Sequence, residues 1–526
     1  MFEQIKKIKV NTENLKDAVI PTIVVSCIFF LNYFCFGTDN TIIGPCLTLS
    51  YLYFRGMSNP FGSMIKTFLI YVSIAVLAWI AGISLPLCII VNAMAFFWIV
   101  FELNDEQHPT NYYTPGMAFI LFQLFPVTGF GVVTRIEAII ASFAITFFFL
   151  IILPSRKNRS TVRDSVKEGL DLSENLIQAY QMDDEDGIFL YQDRLRKKNE
   201  QISDAIYLHN YSSFRHNRRV NWYCRFVALF QVFTTLCERK GQEDRTENMQ
   251  NLLKNFKELF DGEEQYGSRT RLIFRTNRPD IRSFRLRFAL RQVIIMTPCM
   301  IYAYLCPFGN GYWLPVSVFF MLVPLYENMA NRVGGRLKGT LAGVVLCLVL
   351  YSIFPGTQAH IVLMIIFNFL IYSATGYATS VAYITCAVLA LGITPDNILF
   401  TLAERLIYTF GGATLTVFAS KCIFPIRIKP EADFLYEKLM DLQKEMEQLA
   451  AKTFDDKEEE RHEKDQLLIR SYLLSRRLRL YNESLRGEDQ NRELMEQLND
   501  HMMNMSFYLI RHFTGIRADV VEGAEE

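Results

Sequence analysis

The sequence predicts an all-α polytopic membrane protein, built as two parallel six-span repeats with a cytoplasmic helical domain. Three observations predict it. Two long blocks are nearly free of charge, each divides into apolar runs of about 20 residues, and the second block repeats the first at an offset of 270 residues. Pro45 aligns with Pro315 and Lys66 with Arg336; Arg135 and Pro154 align with Arg405 and Pro425, allowing one extra residue in the second copy.

The averages conceal this partition, since 51% of the residues are apolar and 54 Lys and Arg balance 54 Asp and Glu. From Asp17 to Leu153 the charged residues are Asp17, Asp39, Arg55, Lys66, Glu102, Asp105, Glu106, Arg135 and Glu137. From Gln292 to Ser420 they are Glu327, Arg332, Arg336, Lys338, Asp396, Glu404 and Arg405. A soluble chain would need polar faces on its helices, and these windows lack them.

The first block predicts spans at 18–36, 41–54, 65–82, 85–101, 114–129 and 135–153. The second predicts 288–306, 312–326, 337–354, 359–374, 378–394 and 404–424. The runs 41–54 and 312–326 are short and carry Pro or Gly. Such broken helices survive in a bilayer only where protein or a water-filled cavity satisfies the freed backbone groups. The resulting domains are 1–17 (cytoplasmic N-terminus), 18–154 (first repeat), 155–285 (cytoplasmic helical segment), 286–425 (second repeat) and 426–526 (cytoplasmic tail).

Lys6, Lys7, Lys9 and Lys16 precede the first span, Arg156, Lys157 and Arg159 follow the sixth, and Arg285, Arg287 and Arg291 precede the seventh. The positive-inside tendency then puts both termini in the cytoplasm, and an even number of spans per half makes the repeats parallel. The polar start carries no cleavage signature, so the first apolar run is expected to stay as a membrane helix. The location expected is an inner or plasma membrane. The 11 cysteines form no CxxC pair and sit mostly inside apolar runs, as small apolar filler.

The polar segments are helical. Val162, Val166, Leu170, Ser173, Ile177 and Tyr180 share one helical stripe, as do Leu435, Leu439, Leu442, Met446 and Leu449, and again Leu494, Leu498, Met502, Met505 and Leu509. Antiparallel, coiled-coil-like packing into one cytosolic body is expected, serving as a stabilising stalk or a homodimer contact. Asp455–Asp465 reads as a solvated connection. No phosphate-binding loop, nucleophile elbow, zinc spacing or dinucleotide fingerprint is present, so neither an enzyme nor a cofactor is expected. Basic clusters such as His216–Arg219 adjoin amphipathic helices and imply no nucleic acid.

The second repeat contains Gly311-Tyr312-Trp313-Leu314-Pro315-Val316-Ser317, then Pro324-Leu325-Tyr326-Glu327, then Arg332-Val333-Gly334-Gly335-Arg336-Leu337-Lys338-Gly339-Thr340-Leu341-Ala342-Gly343. This resembles the membrane domain of the FUSC (fusaric acid resistance-like) family of the aromatic acid exporter group. The six-span, helical segment, six-span, helical tail plan is similar too. The first copy departs from the motif, with Ile43-Gly44-Pro45 in place of Trp313-Leu314-Pro315 and no Gly-Thr turn after Lys66. The resemblance implies efflux of small aromatic or amphipathic organic acids across the lipid bilayer, and a membrane-fusion adaptor protein as partner in double-membrane cells. A wider resemblance to plant aluminium-activated malate transporters implies the alternative, a passive organic-anion channel. A third reading is a non-transporting scaffold that binds a partner through its cytosolic helices.

The candidate substrate-binding residues are Arg135, Arg405, Lys66, Arg336 and Trp313. Arg135 and Arg405 open the last span of each repeat, where the topology disfavours basic residues. A planar guanidinium suits a carboxylate; a structural pair with Glu137 or Glu404 is the plainer reading. Lys66 and Arg336 are placed to gather anions by local field, or simply follow the positive-inside tendency. Trp313, like Phe96, Phe97 and Trp98, offers a face for stacking or for helix packing. Asp39, Glu327 and Glu404 are the candidates for proton coupling, because ionisable groups at membrane depth are costly and mark pathways. Gly335, Gly339 and Gly343, at four-residue spacing, read as close helix packing.

Overall fold

The structure is a computed structural model. It describes residues 12–56, 60–104, 110–153, 162–212, 215–217, 223–236, 245–261, 270–272, 281–306, 311–390 and 397–451, with scattered helical positions between 467 and 481. Side chains of some residues in these ranges, Glu327 among them, fall outside the description. The run Asp455–Asp465 and the Leu494–Leu509 stripe also lie outside the described residues.

Helices occupy every run expected to span. The first repeat comprises α1 (Thr12–Leu31), α2 (Ile43–Arg55), α3 (Phe61–Ala81), α4 (Leu85–Leu103), α5 (Tyr113–Leu124) and α6 (Gly131–Ile152). A π-helical turn at Asn32–Phe36 and a tight turn at Thr38–Asn40 join α1 to α2. The polar segment holds α7 (Val162–Gln181), α8 (Glu185–Ser212), α9 (Cys224–Leu236) and α10 (Arg245–Asp261). The second repeat comprises α11 (Phe284–Leu305), α12 (Trp313–Met321), α13 (Tyr326–Ile353), α14 (Thr357–Ser373), α15 (Tyr377–Leu389) and α16 (Ile398–Cys422), followed by α17 (Ile428–Ala451). Among the described residues, the departure from an all-α architecture is one antiparallel ladder pairing β1 (Arg215–Asn217) with β2 (Thr270–Leu272).

Among the described residues, six helices are long and apolar enough to cross a bilayer: Leu15–Cys35, Phe61–Ala81, Leu85–Leu103, Gly131–Ile152, Phe284–Leu305 and Met329–Ile353. α12 is the most truncated of the others. Its nine residues rise about 14 Å before Pro324, which cannot donate a backbone hydrogen bond, forces the chain to extend at Leu322–Leu325. The carbonyls freed there are buried, and side chains cap them. Tyr112 Oη donates to the Leu322 carbonyl (3.0 Å), and Arg291 Nη1 donates to those of Val323 (3.4 Å) and Pro324 (3.1 Å).

The chain divides into two compact units. One comprises residues 1–55, 67–154 and 276–428, so both apolar repeats belong to it; the other comprises 56–66, 155–275 and 429–526. Within the first unit, α1 packs on α14 and α4 packs on α11. These are equivalent pairs under the 270-residue offset, each repeat's first helix meeting the other's fourth. The repeats differ inside. In the second, α13 lies tightly against α15: a Cβ added to Gly339 would stand 2.4 Å from the Ala378 carbonyl oxygen, and one on Gly343 2.8 Å from that of Ala382. The glycine spacing therefore permits backbone-to-backbone approach. In the first, the equivalent positions are Leu69 and Ser73. There α3 meets α5 and α6 through rings, with Tyr71 edge-on to Phe122 and Phe143, and Phe68 edge-on to Phe143.

In the second unit, Val166, Leu170, Ser173 and Ile177 of the α7 stripe are buried, and so is Leu176 beside it. Gly169 admits the ring of Phe230 from α9, where an added Cβ would lie 2.5 Å from Cζ.

Candidate functional site

Among the described residues of the apolar unit, three large cations are wholly interior, and their surroundings divide them. Arg135, Arg291 and Arg405 are each 1% exposed or less. Transfer of a guanidinium out of water is tolerated only if its donors are satisfied.

Arg135, in the second turn of α6, is fully engaged by neutral acceptors. Nε donates to Asn40 Oδ1 (3.0 Å), Nη1 to the Phe122 carbonyl (2.8 Å), and Nη2 to the carbonyls of Phe125 (2.6 Å) and Asp39 (3.2 Å). Phe122 is in the last turn of α5 and Phe125 caps its end, where carbonyls have no helical partner. The side chain thus ties three segments together: the turn at Thr38–Asn40, the end of α5 and the start of α6. Arg291 does the same in the second repeat. Besides Val323 and Pro324, its Nε reaches the Ile423 carbonyl (2.9 Å) and its Nη2 that of Phe424. Phe424 carries a positive φ of 45°, which this contact helps hold.

Arg405 is the exception. Its guanidinium carbon stands 3.8 Å from the centroid of the Trp313 ring, and its Nε and Nη1 are buried with no hydrogen-bond partner among the described residues. Arg336, on α13 and 3% exposed, lies 5.3 Å from the Phe320 ring, and its Nε is likewise buried without a partner. On the same three helices, α12, α13 and α16, Trp313 Nε1, Ser317 Oγ, Thr340 Oγ1 and Thr416 Oγ1 are buried and without a partner among the described residues. Ser317 follows Trp313 by four residues on α12, and Thr340 follows Arg336 by four on α13, so each pair shares a helix face. α12, α13 and α16 pack on one another. Gly412 of α16 abuts Ser317, where an added Cβ would lie 3.0 Å from the serine Cβ. Two apolar clusters bound this polar lining, one around Trp313, Val344 and Leu402, the other around Met321, Val333 and Ala413. Arg332, one turn before Arg336, stacks on Tyr377 (4.4 Å) and faces Tyr113 (5.7 Å).

A stacked cation gains about 2 kcal/mol when desolvated, whereas an unpaired buried charge costs several. The Trp313 face therefore does not balance Arg405. Arg405 and Arg336 thus each keep an unpartnered donor nitrogen beside an aromatic ring, on helices that also bury unpartnered hydroxyls.

Of the other residues expected at a site, Lys66 is half-buried in the stretch 56–66 that groups with the second unit. Asp39 is exposed and contributes its backbone carbonyl to Arg135. Glu404 is half-buried and precedes Arg405 by one residue on α16. The Glu327 side chain is outside the described residues. Sequence reasoning did not single out Arg291, Ser317 or Thr340. A small hydroxyl four residues from Trp313, and another four from Arg336, both inside apolar runs, were the signals available.

Residues 298–419 match the family described as "Fusaric acid resistance protein-like". The matched segment holds Trp313, Ser317, Arg336, Thr340 and Arg405. An uncharacterized protein of Haemophilus influenzae is 27% identical over 142 residues, which is 26% of this chain and 20% of that protein. The match thus spans about a fifth of that relative's length. No solved structure matches the chain.

Proposed function

We propose, from the fusaric acid resistance-like second repeat, that this protein is a secondary transporter exporting small aromatic or amphipathic organic acids. The observation that carries the reading is the unsatisfied guanidinium of Arg405, buried against Trp313. A carboxylate would accept from Arg405 Nε and Nη1 while an attached ring lay along the Trp313 face. Arg336 would supply a second attraction. Arg135, each of whose three nitrogens already has an acceptor, would hold the first repeat in shape. Proton coupling would run through Glu404, beside Arg405, with Asp39 and Glu327 as the further candidates. The working location is an inner or plasma membrane.

Flux of a radiolabelled aromatic acid from proteoliposomes, with and without a pH gradient, tests this. Uphill efflux that follows the gradient and collapses in Arg405→Gln is the expected result. Downhill flux alone, indifferent to the gradient, would make the protein a passive anion channel. Absence of flux in both conditions would favour a membrane scaffold acting through its cytosolic helices.

A further inference from the structure

Arg405 and Arg336 are two buried cations resting on one short helix. Arg405 stacks on Trp313 and Arg336 lies over Phe320. These rings are seven residues apart on α12, two turns along one face, which separates them by about 10 Å of rise. Ser317 lies between them on that face, its hydroxyl buried and unpartnered, with Thr340 Oγ1 and Trp313 Nε1 in the same state. Neither guanidinium is ion-paired to a described carboxylate.

A monoanion bound at Arg405 would leave Arg336 uncompensated. Inside a low-dielectric bundle that residual charge is expensive, and a guanidinium does not relieve it by losing its proton. Two negative groups on one molecule would cancel both cations, and the hydroxyls between would solvate the middle. We propose that the site is built for a dianion, an aromatic acid whose two charged groups sit on opposite sides of one ring and bridge Arg405 to Arg336. This deepens, and rests on, the reading of the second repeat as an organic-acid site.

The test is calorimetric titration of the purified full-length protein in detergent with terephthalate, its monomethyl ester and benzoate. Terephthalate is expected to bind at least tenfold more tightly than the ester or benzoate. In Arg336→Gln that ratio falls to about one, and in Arg336→Lys, which keeps the charge, most of it returns. Equal affinities in the wild-type protein, or a preference that survives Arg336→Gln, would overturn the dianion assignment while leaving an acid site in place. Binding of none of the three, or binding unchanged in Arg405→Gln, would overturn both the assignment and the site it rests on. The wild-type comparison of diacid with monoester decides the matter even where a variant fails to fold.

Discussion

The guanidinium carbon of Arg405 sits 3.8 Å from the centre of the Trp313 ring, while two of its nitrogens, Nε and Nη1, face no acceptor among the described residues. In the other repeat, the arginine at the equivalent position donates to four acceptors. An internal duplication has therefore produced one structural arginine and one with donors to spare.

The first prediction separates these roles. Arg405→Gln is expected to lower efflux by roughly 10- to 100-fold, the equivalent of one lost charge-assisted hydrogen bond of about 1.5–3 kcal/mol, with the melting temperature held. Arg135→Gln strips buried carbonyls of their donor, each at a cost of about 1–3 kcal/mol, and is expected to lower the melting temperature and folded yield. Thermal unfolding in detergent beside proteoliposome flux reads both. A flux defect of equal size with equal stability in the two variants would erase the distinction.

Trp313 is expected to matter in proportion to its π-face. Trp313→Leu should weaken binding of an aromatic acid by roughly tenfold or more, since a desolvated cation–π contact contributes about 2 kcal/mol. Trp313→Phe should lose less. Titration of a single ligand against both variants gives the order, and Phe weaker than Leu would contradict it.

Close approach of α13 to α15 makes Gly339 sensitive to a single methyl. Gly339→Ala places a Cβ 2.4 Å from the Ala378 carbonyl oxygen and 2.7 Å from Val381 Cβ. Overpacking of this kind costs about 1–3 kcal/mol. Gly334→Ala meets nothing within 4 Å, and removing a helical glycine gains up to about 1 kcal/mol. Size-exclusion profiles and melting curves should show the first variant impaired and the second unchanged or improved.

In the second unit, Gly169→Ala drives a Cβ to 2.5 Å from Phe230 Cζ, and Phe230 is fully buried and has nowhere to swing. Hydrogen exchange is expected to rise across α7 and α9. Glu168→Ala, which removes an exposed partner of Lys198, is expected to change exchange little, because exposed ion pairs contribute about 0–1 kcal/mol. Protection unchanged in Gly169→Ala would show that the α7–α9 contact is loose.

Much of the fold was legible because bilayer physics acts on composition. Helices formed wherever charge-free runs were long enough, and the alignment of Pro45 with Pro315 anticipated the matching short helices α2 and α12. The spacing of Gly335, Gly339 and Gly343 announced a tight helix pair, and α13 with α15 is that pair. The site was legible only in part. Arg405, Arg336 and Trp313 stood out as polar or aromatic exceptions in apolar runs, but nothing local distinguished Arg405 from Arg135.

The linear chain, then, determined by itself where apolar helices would lie among the described residues, and that the architecture would be helical. Tertiary structure alone decided which cation is spent and which is available. That choice depends on carbonyls released at the end of a different helix, as Phe122 and Phe125 are for Arg135. A guanidinium's partners lie across space, where hydrogen bonds reach about 3 Å, and no periodicity along the sequence records them.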